Sequence, residues 1–185
     1  MSDEAQGLAQ SARFEQVIMP HLDAAYNLAR WLVRKPEDAE DVVQEAYLRA
    51  FKFFAGYQGG DARAWLLKIV RNTSYTFLEK NRPSDLSDEF DEKVHTAETP
   101  PSTAEEVLVR DSERKMLRQA LEELPVNFRE VLILREFEGL SYKEIAEMQE
   151  VPIGTVMSGL ARARSRLREL LVRARDKETR RGLQE

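Results

Sequence analysis

The stretch Leu140–Leu170, LSYKEIAEMQEVPIGTVMSGLARARSRLREL, decides how this chain is read. Ser141 and Glu144 have the spacing of a capping box, in which a hydroxyl and a carboxylate satisfy each other's backbone N–H groups at a helix start. Ile145, Ala146 and Met148 give a short helix one apolar face, and QEVP supplies a tight turn. Ile153, Val156, Leu160, Ala163, Leu167 and Leu170 then form the inner stripe of a longer second helix. Thr155, Ser158 and Arg162 face outward near its start. A short helix, a tight turn and a basic long helix make a helix-turn-helix, whose second helix enters the major groove by its N-terminal end. Hydroxyl and guanidinium groups reach base edges and phosphates there. The competing reading is a plain helical hairpin with a solvated arginine face; the three features together favour DNA.

Upstream of this stretch, Pro125 opens a helix over VNFREVLILREFEG that Gly139 closes, and Leu117, Ala120, Leu121 and Leu124 mark another before it. Nearer the N-terminus, Phe14, Val17, Ile18, Leu22, Ala25, Ala29 and Val33 recur at helical spacing, with Pro20 set to kink that helix or mark its first turn. Pro36 and Glu37 suit the start of a second helix, with Ala39, Val42, Val43, Ala46, Tyr47, Ala50, Phe51 and Phe54 on its apolar face. GYQGG breaks it, and Asp61 is placed to cap a third helix that runs toward Arg82. Between the two halves, RPSDLSDEFDEKVHTAETPPST has no periodicity and is rich in Pro, Ser and acids. A loop that long is foreign to one compact domain, so it reads as a flexible linker. The expected fold is all-α: two small helical domains, residues 14–82 and 105–175, joined by a flexible acidic linker over 83–104. A polar tail over 1–13 and a charged tail over 176–185 flank them.

The net charge of −5 argues by itself against nucleic acid. Its distribution argues the other way. Arg162–Arg175 carries six arginines against Glu169 alone. Asp61–Arg82 carries five basic residues against two acids, and Ser84–Glu113 carries ten acids against two basic residues. Two basic islands are thus separated by an acidic bridge, a segregation that solvated faces rarely show. No cysteine is present, which excludes disulfides, thiolate metal sites and cysteine nucleophiles. No apolar run approaches the roughly 20 residues of a membrane span, and the acidic start does not resemble a signal peptide, so a soluble cytoplasmic protein is expected. His21 and His95 are the only histidines, and no hydrolase, P-loop or metalloprotease pattern occurs. GGDAR superficially resembles a cyclase signature, but its helical surroundings argue against one. Neither enzymatic activity nor a metal or other cofactor is expected.

ALEELPVNFREVLILREFEGLSYKEIAEMQEVPIGTV with RARSRLREL closely resembles region 4 of the extracytoplasmic-function sigma factors of bacterial RNA polymerase. DAEDVVQEAYLRAFKFF followed by GGDARAWLLKIVRNTSYTFL resembles their region 2. The resemblance covers about residues 14–82 and 105–172, in the family's order. It implies a dissociable transcription initiation factor with three partners: core RNA polymerase, promoter DNA and an anti-sigma factor. It gives the acidic linker a path through the polymerase toward the RNA exit. It assigns Asp41, Gln44 and Glu45, with Asp38 beside them, to docking on the clamp helices of the polymerase's largest subunit. Carboxylates and an amide suit that task, because charge-assisted hydrogen bonds to arginines set register. It assigns the stripe Trp65, Lys68, Asn72 and Tyr75, with Arg71, to the −10 element. There stacking, phosphate neutralisation and base-edge hydrogen bonds meet single-stranded DNA. Trp65 alone would more readily be core, whereas Asn72 stands where the family holds a flipped base. Thr155, Met157, Ser158, Arg162, Arg164 and Arg166 fall at the −35 surface. At Met157 and Gly159 the family usually carries lysine or arginine, so this chain departs at both. The rival readings are a two-domain regulator that binds DNA without polymerase and a pure sequestering protein, which the arginines disfavour.

Overall fold

The computed structural model describes residues 2–81 and 104–182, and every regular element among them is helical. The first group comprises α1 (Ser2–Ile18), α2 (Leu22–Val33), α3 (Pro36–Phe53) and α4 (Ala62–Lys80). Pro20 occupies a 3-10 turn, Met19–His21, between α1 and α2. Pro36 begins α3, and Lys35 before it is extended, as a residue preceding proline must be. Asp61 caps α4 by accepting from the Ala64 N–H at 3.0 Å. Residues 2–13, within the stretch expected as a polar tail, form most of α1. Their Ala, Gln and Glu content favours helix, and the buried Phe14 and Ile18 anchor its far end. Phe14 meets Tyr47, Phe51 and Phe54 edge-on, with ring centroids 5.0–5.1 Å apart.

α2, α3 and α4 pack pairwise around Leu28, Leu32, Val42, Ala46, Leu66, Leu67 and Val70. Thr73 and Ser74 are buried on α4, where their hydroxyls donate back to the carbonyls of Ile69 and Val70 at 2.8 and 2.9 Å. One position differs from the sequence pattern. Phe51, expected on the apolar face of α3, is 45 % exposed and meets Phe14 edge-on at the rim of the aromatic cluster.

The expected linker lies outside the described residues apart from Ala104, where α5 (Ala104–Glu123) begins. Pro125 precedes α6 (Val126–Leu132), which widens into a π turn at Ile133–Phe137 and ends at Gly139 with φ +67°. α7 (Tyr142–Gln149) starts with the full capping box of Ser141 and Glu144. Glu150 takes the left-handed conformation that turns the chain into α8 (Ile153–Gly182). α8 packs on α5, α6 and α7 through Val156, Leu160, Ala163 and Leu170. Ile153, expected on this inner stripe, is 45 % exposed, because it is the first residue of α8 and precedes the packed turn. The expected tail from residue 176 is helical to Gly182, extending α8 through Lys, Glu and Arg, which favour helix. The two groups meet along α2–α6 and α4–α7.

Candidate polymerase and nucleic-acid interfaces

Three separate surfaces carry the residues singled out in the sequence. The first is the outer side of α3. Ala39, Val42 and Ala46 turn into the core, which leaves Asp41, Gln44 and Glu45 exposed and Asp38 half-buried on the opposite side. Burial raises the Asp38 carboxyl above its usual value, against the lowering effect of Lys35. Glu45 accepts from Arg49 one turn on at 2.7 Å, an exposed pair of small energetic weight. The row is a solvent-facing set of acceptors on a rigid helix.

The second surface is α4 with the loop before it. Gly59 and Gly60 have φ of +96° and +98°, and the Tyr57 hydroxyl donates to the Gly60 carbonyl at 2.7 Å. Glycine accepts this left-handed backbone without strain. The Tyr57 ring stacks on Phe54 at 5.6 Å and lies 5.1 Å from Trp65, so Trp65 closes a half-buried aromatic cluster beneath the loop. It is neither fully core nor free. Asn72 is exposed, its side-chain oxygen accepting from Arg71 at 3.2 Å.

The remaining stripe residues face the second helical group. Arg71 donates to Glu130 at 2.5 Å, and the Tyr75 hydroxyl donates to the other Glu130 oxygen at 2.5 Å. The Arg71 guanidinium also lies over the Tyr75 ring, 4.7 Å from its centroid. Burial, then the Glu130 charge, push the Tyr75 hydroxyl above its ordinary value and keep it a donor. Lys68 reaches Glu150 at 3.2 Å in an exposed pair. Arg63, which the sequence offered only as one of several basic residues, donates to both the carboxylate and the backbone carbonyl of Glu138. Burial raises the Glu138 carboxyl, and Arg63 opposes the shift. Nothing in a single sequence announces these acidic partners, which stand 55 to 82 residues further along the chain.

The third surface is the start of α8. Thr155, Met157, Ser158 and Arg162 are exposed and Val156 is buried, so the outward reading of this helix end holds. The Ser158 hydroxyl donates to the Thr155 carbonyl at 3.1 Å. Arg164 donates to Glu136 at 3.1 Å through Nε and Arg166 to Glu169 at 2.9 Å. The Glu136 hydrogen bond, the largest cause, raises the Arg164 guanidinium. Arg162 pairs with no carboxylate among the described residues. A side chain added at Gly159 would meet open space.

Comparison with known proteins fits this geometry. Residues 17–83 match the family description "Sigma-70 region 2" and residues 114–167 match "Sigma-70, region 4". The chain is 34% identical to the RNA polymerase sigma-H factor of Pseudomonas aeruginosa, over 85% of this chain and 86% of that protein. It is 35% identical to the ECF RNA polymerase sigma factor SigE of Mycolicibacterium smegmatis, over 86% of this chain and 62% of that protein. Among solved structures it resembles the sigma factor RpoE of Bartonella quintana, crystallised with the anti-sigma factor NepR. That match has a TM-score of 0.71 and 30% identity, over 86% of this chain and 96% of that one. A rigid acidic helix face, an aromatic-cationic helix and a helix-turn-helix with an open basic face, in this order and at this identity, place the chain among the extracytoplasmic-function sigma factors of RNA polymerase.

Proposed function

We propose that α3 docks this sigma factor on core RNA polymerase, that α4 and its loop take the opened −10 strand, and that the start of α8 holds the −35 duplex. The two working units are residues 14–82 and 105–175. The observation that carries the reading is the open acceptor row Asp41, Gln44 and Glu45 on α3, with Asp38 at its edge. A DNA-binding regulator that works without polymerase has no use for it. The chain acts in the cytoplasm, without catalysis of its own, and a partner chemically similar to an anti-sigma factor restrains it. That last element follows the pairing of RpoE with NepR.

The test is the double change Asp41→Ala with Gln44→Ala. Both side chains are exposed, so stability is expected to change by less than about 0.5 kcal/mol per site. Affinity for core polymerase is expected to fall tenfold or more, because charge-assisted contacts at a partner surface are lost. Circular dichroism and a core-binding titration check both halves. Unchanged core affinity removes α3 from the docking surface.

Gly159→Arg tests the −35 assignment. Residue 159 has room for a side chain, and its glycine costs α8 about 1 kcal/mol relative to alanine. An arginine there is expected to add one phosphate contact and to steepen the dependence of log affinity on log salt by about 1. The ranking of −35 sequences should hardly move, since phosphate contacts position without specifying. Arg162→Ala should flatten that ranking. Salt titrations on matched and scrambled duplexes separate the two, and an unchanged slope for Gly159→Arg means residue 159 faces away from the duplex.

A further inference from the structure

The cations that α4 would offer to a DNA strand are already held. Arg63 is on Glu138, Lys68 on Glu150 and Arg71 on Glu130, and all three carboxylates belong to the second helical group. Arg63 and Arg71 are eight residues apart, so the row runs along about 12 Å of helix. Glu130 is only 1% exposed and is set in place from its own side by Gln149, whose amide donates at 3.0 Å. Tyr75, the stripe's last aromatic, spends its hydroxyl on the same carboxylate. Each carboxylate therefore meets a cationic or hydroxyl group as a phosphate oxygen would.

We infer that Glu130, Glu138 and Glu150 act as stand-in phosphates that latch the second helical group over the strand-binding face of α4. The free chain is then occluded by its own carboxylates until α6 and α7 leave, and Arg63 joins Lys68 and Arg71 as a phosphate contact. This inference rests on the assignment of α4 to the −10 strand. The latch is selective in what it covers. The α3 acceptor row and the start of α8 stay exposed while α4 is closed, so polymerase and duplex DNA have access before the single strand does. The three pairs are graded. Arg71–Glu130 is buried and resists salt, whereas Lys68–Glu150 is exposed and contributes little. A closed state lowers apparent strand affinity by the fraction of molecules that are open.

The test uses the full chain with Glu130→Gln and Glu138→Gln together, which keep side-chain size and remove the charge. Glu15→Gln with Glu113→Gln, both exposed, serves as the control for net charge. The chain has no cysteine, so Lys52→Cys with Lys143→Cys gives a unique dye pair across the two groups. The probe is a labelled random-sequence DNA single strand of about 20 nucleotides. The latch predicts that the Glu130/Glu138 variant lengthens the interdye distance and binds the strand about tenfold tighter, while the control variant does neither. An unchanged distance overturns the latch. A lengthened distance with strand affinity no greater than the control's also overturns the occlusion, and it places the failure in the assignment of α4 to the strand.

Discussion

Arg129→Ala is expected to destabilise the second helical group by about 3 kcal/mol, the range for removing a large buried side chain whose hydrogen bonds hold other buried groups. Arg129 is 2% exposed in the first turn of α6. Its Nη1 donates to the Glu122 carbonyl at 3.0 Å and the Leu124 carbonyl at 3.3 Å, which are orphan acceptors at the end of α5. Arg34, the residue that follows α2, donates to the same Glu122 carbonyl at 2.6 Å, so the site ties the end of α2 to α5 and α6. The charge is held at some cost. Burial first, and the neighbouring Arg34 charge second, lower the Arg129 guanidinium to about 10, while Glu122 opposes the shift. Truncation to alanine leaves a cavity and unpaired carbonyls together. Arg129→Met keeps most of the stem volume and removes the charge, and replacing a buried charge by a packed apolar group is often close to neutral. Its expected loss is about 1 kcal/mol, from the carbonyls alone. For a unit of this size the alanine change lowers the melting temperature by about 10 °C or more. Thermal unfolding of both variants checks the pair, and equal losses would mean that volume has no part in the effect.

Arg129 also marks where the sequence stops being legible. Ser141 with Glu144, Pro36, Gly139 and Asp61 act within one turn of their own helix, so their residue types suffice to place them, and each stands where the pattern put it. The outward face of α8 and the acceptor row of α3 follow from local periodicity in the same way. Arg129, Glu130 and Glu138 look like the solvated side of an amphipathic helix, yet all three are buried. Glu130 and Glu138 are held by Arg71 and Arg63 of the other helical group, across the stretch from 82 to 103, and Arg129 shares the Glu122 carbonyl with Arg34 of that group. No local period encodes contacts of that separation. Ile153 and Phe51 err the other way: periodicity assigns them to a face, but one is at a helix end and the other at the rim of an aromatic cluster. Periodicity reports which way a residue points and not whether anything stands there.

Asn72→Ala is expected to slow promoter opening by ten- to a hundredfold while leaving duplex binding nearly intact. The residue sits on α4 one position past Arg71, exposed, with no packing duty toward the core formed by Leu66, Val70, Thr73 and Ser74. Its side-chain oxygen is engaged only with Arg71 at 3.2 Å, a solvent-facing contact that a base edge would readily replace. The amide offers both a donor and an acceptor, which suits the Watson–Crick edge of an unpaired base. A lost base contact of this kind corresponds to about 1–3 kcal/mol, and each 1.4 kcal/mol is tenfold in rate or affinity. The loss should fall on the step that captures the separated strand, because in the duplex the base is still paired and beyond reach. Permanganate reactivity of the −10 segment reports opening, and a gel shift on the same promoter with core polymerase reports duplex binding. On a pre-melted template, where separation is already complete, the deficit should persist as weaker strand capture, with −35 contacts unaffected. Lys68→Ala, by contrast, removes the phosphate contact proposed for α4 and should weaken capture of any strand by a similar factor whatever its sequence. If Asn72→Ala lowers duplex binding and opening to the same extent, the side chain acts through polymerase docking or the α4 scaffold, and the loop after Phe54 must hold the base without it.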